Sequence, residues 1–230
     1  DAFGVDLPAE HGARYAMAQE RFDYVQKLWR EDLPFDWQGD YFKGKGVYSL
    51  PHPAQSHLPI LNAAASEEGR AFAMRNADFL FTPVFDFDQA RATVEDINAG
   101  SAAVQRAVKV LTFATVVCRP TQKEADEALD YYANQHADWE AVDNLMTLQG
   151  LHAQSFTKEA LAMFRDRFAA GHGGFPLVGT PDHIADQLEQ MSDTGIAGTT
   201  LSFLDYAKEF PYFRQEVMPR LEARGLRHTP

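Results

Sequence analysis

The residues best suited to chemistry lie in Asn62-Ala-Ala-Ala-Ser-Glu-Glu-Gly69, where an apolar run (Ile60, Leu61) gives way to small residues and then to a helical pattern (Ala71, Phe72, Met74). A strand entering a helix through so tight a turn leaves the first backbone N–H groups of the helix unpaired and aimed at one point, which suits an anion. A phosphate is the expectation at this turn. An ordinary strand-to-helix turn, with Ser66 as N-cap and Glu68 or Gly69 closing the first helical turn, fits the same residues.

Other residue types offer less. The eight histidines form no helical metal-binding pair of the His-Glu-x-x-His kind. His136 and Glu140 stand four apart on an expected helix, where a solvated pair is the simpler reading. Gly171-His-Gly-Gly174 is glycine-rich, but no expected strand precedes it, so it fails as a dinucleotide fingerprint and reads as a lid loop or a plain connector. No Gly-x-Ser-x-Gly elbow occurs. Asp86, Asp88, Glu95 and Asp96 fall at loop or helix starts, where carboxylates complement the helix dipole. Phe81, Phe85 and Phe87 follow the C-terminal end of an expected strand, the end at which parallel α/β folds bind ligands, although core packing explains Phe81 equally. No side chain reads as a nucleophile.

The elements that would hold these residues alternate. Glu10–Arg30 has apolar positions at helical period. Residues 32–59 mix aromatics with turn residues and predict a β-hairpin outside the main core. Strands are expected at 61–64, 78–84, 108–118 and 198–203, and helices at 67–76, 88–99, 121–137, 181–193 and from Tyr206 or Phe210 to Arg224. Thr121 with Glu124 has capping-box spacing, and Thr180-Pro181 is a helix start. Residues 139–170 read as irregular helical segments. About four near-continuously apolar strands, each followed by a helix, imply a parallel α/β sheet, either half of a (β/α)8 barrel or a small doubly wound sheet.

Bulk properties narrow the class. A chain of 230 residues with 45% hydrophobic content has an ordinary globular composition. A net charge of -12 argues against a nucleic-acid surface or an anionic membrane face. The single cysteine, Cys118, excludes an internal disulfide and a cysteine-based zinc site, and its apolar surroundings predict an inert, buried thiol. No stretch is as long and apolar as a transmembrane helix and no signal peptide opens the chain, so the cytoplasm is the expected compartment.

In combination, several segments resemble the bacterial luciferase-like flavin-dependent monooxygenases. They are Glu10-His-Gly-Ala-Arg-Tyr15 with Glu20, Phe35-Asp-Trp-Gln-Gly-Asp-Tyr-Phe42, Tyr48–Gln55, the Asn62–Gly69 turn and Asn76-Ala-Asp78. Leu177-Val-Gly-Thr-Pro-Asp182, Gly195-Ile-Ala-Gly198 and Leu201-Ser-Phe203 complete the series. The resemblance implies a (β/α)8 TIM barrel, here one partial domain over 1–230. It would comprise the fifth to eighth strands, a hairpin insertion at 32–59, and an insertion or lid at 139–174 after the seventh strand. It also implies FMN, used as FMNH2, with O2 as co-substrate and a separate NAD(P)H:flavin reductase as partner, in a site shielded from water. Ala64, Ala65, Ser66 and Gly69 would hold the FMN phosphate, and Tyr15 would reach it. A half-buried helix aromatic is the alternative for Tyr15.

Within that family, Phe113 and Thr115 align with the arginine and histidine of the alkanesulfonate branch. Phe113 removes the cation that would pair a sulfonate. Val116-Val-Cys-Arg-Pro-Thr121 and Asp205-Tyr206 look more like the dimethylsulfone branch, so a small neutral substrate such as a sulfone is expected. Phe81, Phe113, Phe203 and Tyr206 would line its pocket. The catalytic residues are unassigned, and a homo-oligomer is expected of a full-length barrel. A deazaflavin-dependent oxidoreductase of the same fold and a non-catalytic flavin-binding fragment are the competing readings.

Overall fold

The computed structural model describes residues 8, 10–64, 66–151 and 157–227. The chain divides into two compact units, 1–80 with 100–108 and 81–99 with 109–230.

The first unit is built on α1 (His11–Arg30). Its Tyr15 and Phe22 rings each stand 6.0 Å from the ring of Phe72 on α2 (Glu67–Asn76), so the helical period of α1 is spent on a helix–helix contact. Gln19 and Asn76 exchange amide hydrogen bonds of 3.0 and 2.6 Å, and Asn76 also donates to the Phe72 carbonyl, which satisfies a buried amide. Another face of α1 carries the expected hairpin, β1 (Phe35–Gln38) paired antiparallel with β2 (Lys43–Val47). Tyr24 packs against Phe35 and Trp37, and the Glu20 carboxylate accepts from Trp37 Nε1 and from the N–H groups of Tyr41 and Phe42. β3 (Leu61–Ala63) leads into α2. Asp78 ties the start of β4 (Phe79–Phe81) to the start of β3: its carboxylate accepts from the Ile60 N–H at 2.7 Å, and its own N–H donates to the Ile60 carbonyl at 2.8 Å.

In the second unit, α3 (Phe87–Ala103), most of which belongs here, precedes the ten-residue β5 (Lys109–Cys118). Every residue of β5 from Ala114 to Cys118 is buried, as expected of a strand covered on both faces. Cys118 is among them, and burial pushes its thiol up to about 11, with Arg119 and Arg220 opposing. Thr121 and Glu124 form the anticipated capping box at the start of α4 (Gln122–Asp130).

That helix does not run to Ala137. It passes into a π-helical turn over Tyr131–Gln135, where the Asp130 carboxylate accepts from the side chains of Asn134 and Gln135, four and five residues on. His136 therefore ends the π turn while Glu140 opens α5 (Trp139–Leu148), and the two do not share a helix. Within 139–171, where residues 152–156 lie outside the described ones, the described residues are more regular than expected. α5 and α6 (Lys158–Gly171) enclose a small core of Val142, Met146, Phe164 and Phe168. Arg165 clamps Asp143 with two hydrogen bonds at the rim of that core.

The sequence reading missed β6 (Phe175–Gly179), which pairs in parallel with Ala114–Cys118. Pro176 argues against a strand, but here it lies opposite Thr115 on a strand whose pairing in this unit is with β5, so its missing N–H can face away from the ladder. The glycine-rich segment before it is a tight turn with Gly173 and Gly174 buried. α7 (Pro181–Asp193) starts on the Thr180 cap with Pro181 in its first turn, and β7 (Gly198–Ser202) then pairs in parallel with the other edge of β5. The last helix is two, α8 (Tyr206–Glu216) and α9 (Met218–Ala223), because Pro219 has no N–H to continue the ladder through Val217. Among the described residues no helix is long and apolar enough to cross a membrane.

Candidate functional site

In the first unit the small-residue turn ends on Ser66, whose Oγ accepts from the Gly69 N–H at 3.2 Å and caps the ten-residue α2. The ordinary capping reading is therefore correct as local structure, and the surroundings add to it. A Cβ built on Gly69 would lie 2.7 Å from the Tyr15 hydroxyl, 2.7 Å from Ala64 Cβ and 3.1 Å from Ser66 Oγ. α1, the turn and α2 thus bring two hydroxyls and a small side chain to one glycine at a helix N-terminus. Ala65 lies outside the described residues.

This cradle fits a phosphate group. The start of α2 supplies N–H groups and a favourable dipole end, Tyr15 and Ser66 supply O–H donors, and Gly69, having no side chain, lets both hydroxyls come close to the helix start. Glu67 and Glu68 occupy the first turn and oppose an anion, but both are solvent-exposed and screened by water.

In the second unit Phe81 and Phe113 stack with centroids 5.7 Å apart and planes 22° from parallel. Phe203 and Tyr206 form a separate edge-on pair at 5.5 Å, and Phe203 also meets Phe210 and Phe213. The four expected pocket aromatics are therefore two pairs. Phe203 is buried in the helix packing while Tyr206 is exposed.

The two strand ends are related by register. β5 and β7 set Phe113 opposite Thr200 and Thr115 opposite Ser202. Paired residues of parallel strands point to the same face, so Phe113, Thr115, Thr200 and Ser202 share one. Over part of that face sits the end of α6. Thr115 Oγ1 donates to the Gly171 carbonyl at 3.1 Å, and a Cβ on Gly174 would stand 3.2 Å from the Phe113 ring.

Three further groups hold α6 there. Tyr132, in the π turn, donates its hydroxyl to the Ala170 carbonyl, and burial, with the charge of Glu209, raises its pKa to about 12. Arg167 donates to the carbonyls of Phe85 (2.5 Å) and Val84 (3.3 Å) and lies over the rings of Phe85 and Phe175. Burial lowers the pKa of this guanidinium, with Asp86 opposing. Phe85 packs edge-on against Phe164 at 4.9 Å.

Sequence reasoning missed Arg167, Tyr132 and Ser202. The period-two alternation of Gly198–Ser202 would have put Thr200 and Ser202 on one face, whereas nothing local marks Arg167. No group of three or more His, Cys, Asp or Glu side chains among the described residues could hold a metal ion.

The profile of the luciferase-like monooxygenase family matches residues 1–198. The chain is 30% identical over 230 residues to an FMNH2-dependent dimethylsulfone monooxygenase of Pseudomonas fluorescens, covering 94% of this chain and 61% of that protein. It is 25% identical to a dimethyl-sulfide monooxygenase of Hyphomicrobium sulfonivorans, covering 96% of this chain and 57% of the relative. The crystal structure of DmoA from Hyphomicrobium sulfonivorans superposes with a TM-score of 0.84 at 24% identity, covering 97% of this chain and 58% of that one. The chain thus spans about three fifths of the length of these relatives. The fold is the parallel α/β arrangement of the luciferase-like barrel, with its described strands forming part of one.

Proposed function

The chain belongs to the luciferase-like monooxygenase family, and from that premise we propose that it carries the flavin-phosphate cradle and part of the substrate wall of an FMNH2-dependent two-component monooxygenase. The observation that carries this reading is the close meeting of Tyr15, Ala64 and Ser66 around Gly69, at the start of α2. Ser66 Oγ and the Tyr15 hydroxyl hold the phosphate, and the helix dipole adds to their donors. Bound reduced FMN supplies the electrons with which dioxygen is activated.

The protein's share is positioning and exclusion of water. α5 and α6 serve as the lid, with Arg167, Tyr132 and Thr115 fixing the end of α6 over the Phe113 face. Phe81 and Phe113 offer a flat apolar surface without charge, which suits a small neutral substrate. The dimethylsulfone of the Pseudomonas relative gives the class, with one oxygen atom of O2 transferred to it and the other reduced to water by the two electrons of the flavin. A separate NAD(P)H:flavin reductase supplies the reduced flavin.

Titration of the chain with FMN, followed by flavin fluorescence, tests the cradle. Saturable binding that is lost in Ser66→Trp, whose indole crowds the turn and removes the hydroxyl, is the expected result. Equal binding by wild type and variant overturns the placement.

A further inference from the structure

We propose that Ser202 and Tyr206 form a hydroxyl clamp that selects the substrate by an uncharged oxygen acceptor, a deeper reading of the same site that rests on the small neutral substrate inferred above. Thr200 and Ser202 are exposed on the face that also carries Phe113, while the alternate residues Thr199 and Leu201 turn to the opposite face and line a groove with Leu188, Met191 and Leu221. Phe113 on this face is stacked on Phe81. The clamp and the aromatic pair therefore belong to one wall, polar along β7 and apolar along β5.

Ser202 Oγ and the Tyr206 hydroxyl lie 3.2 Å apart. Two hydroxyls in such a pair use one hydrogen between them and keep the other to donate. A further neighbour, the Leu201 carbonyl at 3.5 Å from the Tyr206 oxygen, is at the limit of a hydrogen bond and yields to an acceptor at normal distance. Whichever way the shared hydrogen points, one strong O–H donor remains.

Phe113, Thr115, Thr200 and Ser202 carry no charge, so this wall has no counter-charge for a sulfonate. A sulfone oxygen is a good acceptor, whereas a thioether sulfur is a weak one. The clamp thus prefers sulfones to sulfides of the same size, with the apolar groups of the substrate against Phe81 and Phe113.

The test is equilibrium binding of dimethyl sulfone and dimethyl sulfide, by saturation-transfer NMR with and without oxidised FMN, to the chain and its Ser202→Ala and Tyr206→Phe variants. Both substitutions remove only a hydroxyl at an exposed position. Each variant should weaken sulfone binding about tenfold, the scale of one lost hydrogen bond, while sulfide and FMN affinities stay within about twofold of wild type. Unchanged sulfone affinity, a parallel loss of sulfide affinity, or a loss of FMN affinity in its place overturns the clamp. A wild-type chain that binds neither FMN nor the sulfone overturns the functional reading beneath it.

Discussion

The Tyr15 hydroxyl packs on Gly69 at a distance that only glycine tolerates: a methyl group on Gly69 would stand 2.7 Å from the hydroxyl oxygen. Gly69→Ala forces a carbon into that contact and displaces Tyr15 or Ser66. The crowding costs about 1–3 kcal/mol, part of which the better helix propensity of alanine returns. FMN affinity should fall at least tenfold while the thermal midpoint moves by a few degrees. A G69A chain that binds FMN like wild type would show that the phosphate does not depend on this packing.

Ser66 has two duties in this arrangement, and Ser66→Asp separates them. Aspartate caps a helix as well as serine does, so the Gly69 N–H keeps an acceptor and stability should change by less than about 0.5 kcal/mol. Its charge faces the phosphate, so FMN binding should be lost. Ser66→Ala should do the reverse in part, costing about 1 kcal/mol of stability through the missing cap. Urea unfolding beside flavin titration reads both quantities, and FMN binding retained by the aspartate variant would reduce Ser66 to a cap.

What the sequence discloses follows how local each cause is. The caps at Ser66, Thr121 and Thr180 were legible because cap and helix lie within four residues of each other. β6 was not, because its strand character comes from pairing with Ala114–Cys118, some sixty residues upstream, and Pro176 masks it locally. The π turn at Tyr131–Gln135 follows from side-chain bonds to Asp130 that compete with a regular helix, and spacing alone does not rank the two. At the site, the turn at Asn62–Gly69 drew attention by its own composition. Arg167 could not, since the carbonyls it holds lie 82 and 83 residues earlier. Alternation along Gly198–Ser202 gives Ser202 and Thr200 a common face, but that this face is shared with Thr115 and Phe113 follows only from the β5–β7 register.

Glu20 makes the attachment of the hairpin to α1 sensitive to acid. Partial desolvation raises its pKa, but the N–H groups of Tyr41 and Phe42 and the Trp37 indole outweigh that, and the net shift is downward from 4.5. A carboxylate with a depressed folded pKa contributes stability that is present above its unfolded value and lost as pH falls through the folded one. Trp37 fluorescence, followed down through this acid range, should report release of the indole in wild type. Glu20→Gln should abolish that transition, and an unaltered acid transition in the variant would assign it to another group.

Arg167 should matter for stability more than its one charge suggests. Its guanidinium serves two carbonyls and two aromatic faces at once. Arg167→Met keeps the volume but removes the partner of the partly buried Val84 and Phe85 carbonyls, at about 1 kcal/mol for each. Arg167→Lys should recover little of this, since an ammonium cannot reproduce the planar fork. Hydrogen exchange of the α6 amides should accelerate in both variants. Rates equal to wild type would mean that the core of Val142, Met146, Phe164 and Phe168 holds α5 and α6 unaided.

Phe113→Arg tests the neutral character of the wall directly. Phe113 stacks on Phe81 and is only half-buried, so an arginine can lie over the same ring and keep its head partly hydrated. The change puts a cation opposite Thr200 on the face that also carries Ser202, where a sulfonate then finds both a counter-charge and a hydrogen-bond donor. Dimethyl sulfone should bind more weakly, because the flat apolar surface is gone, and methanesulfonate should gain at least tenfold in affinity. That gain should fade as salt is raised, as an exposed ion pair requires. A variant that acquires no sulfonate affinity, or acquires it without salt dependence, would show that Phe113 does not face the bound substrate.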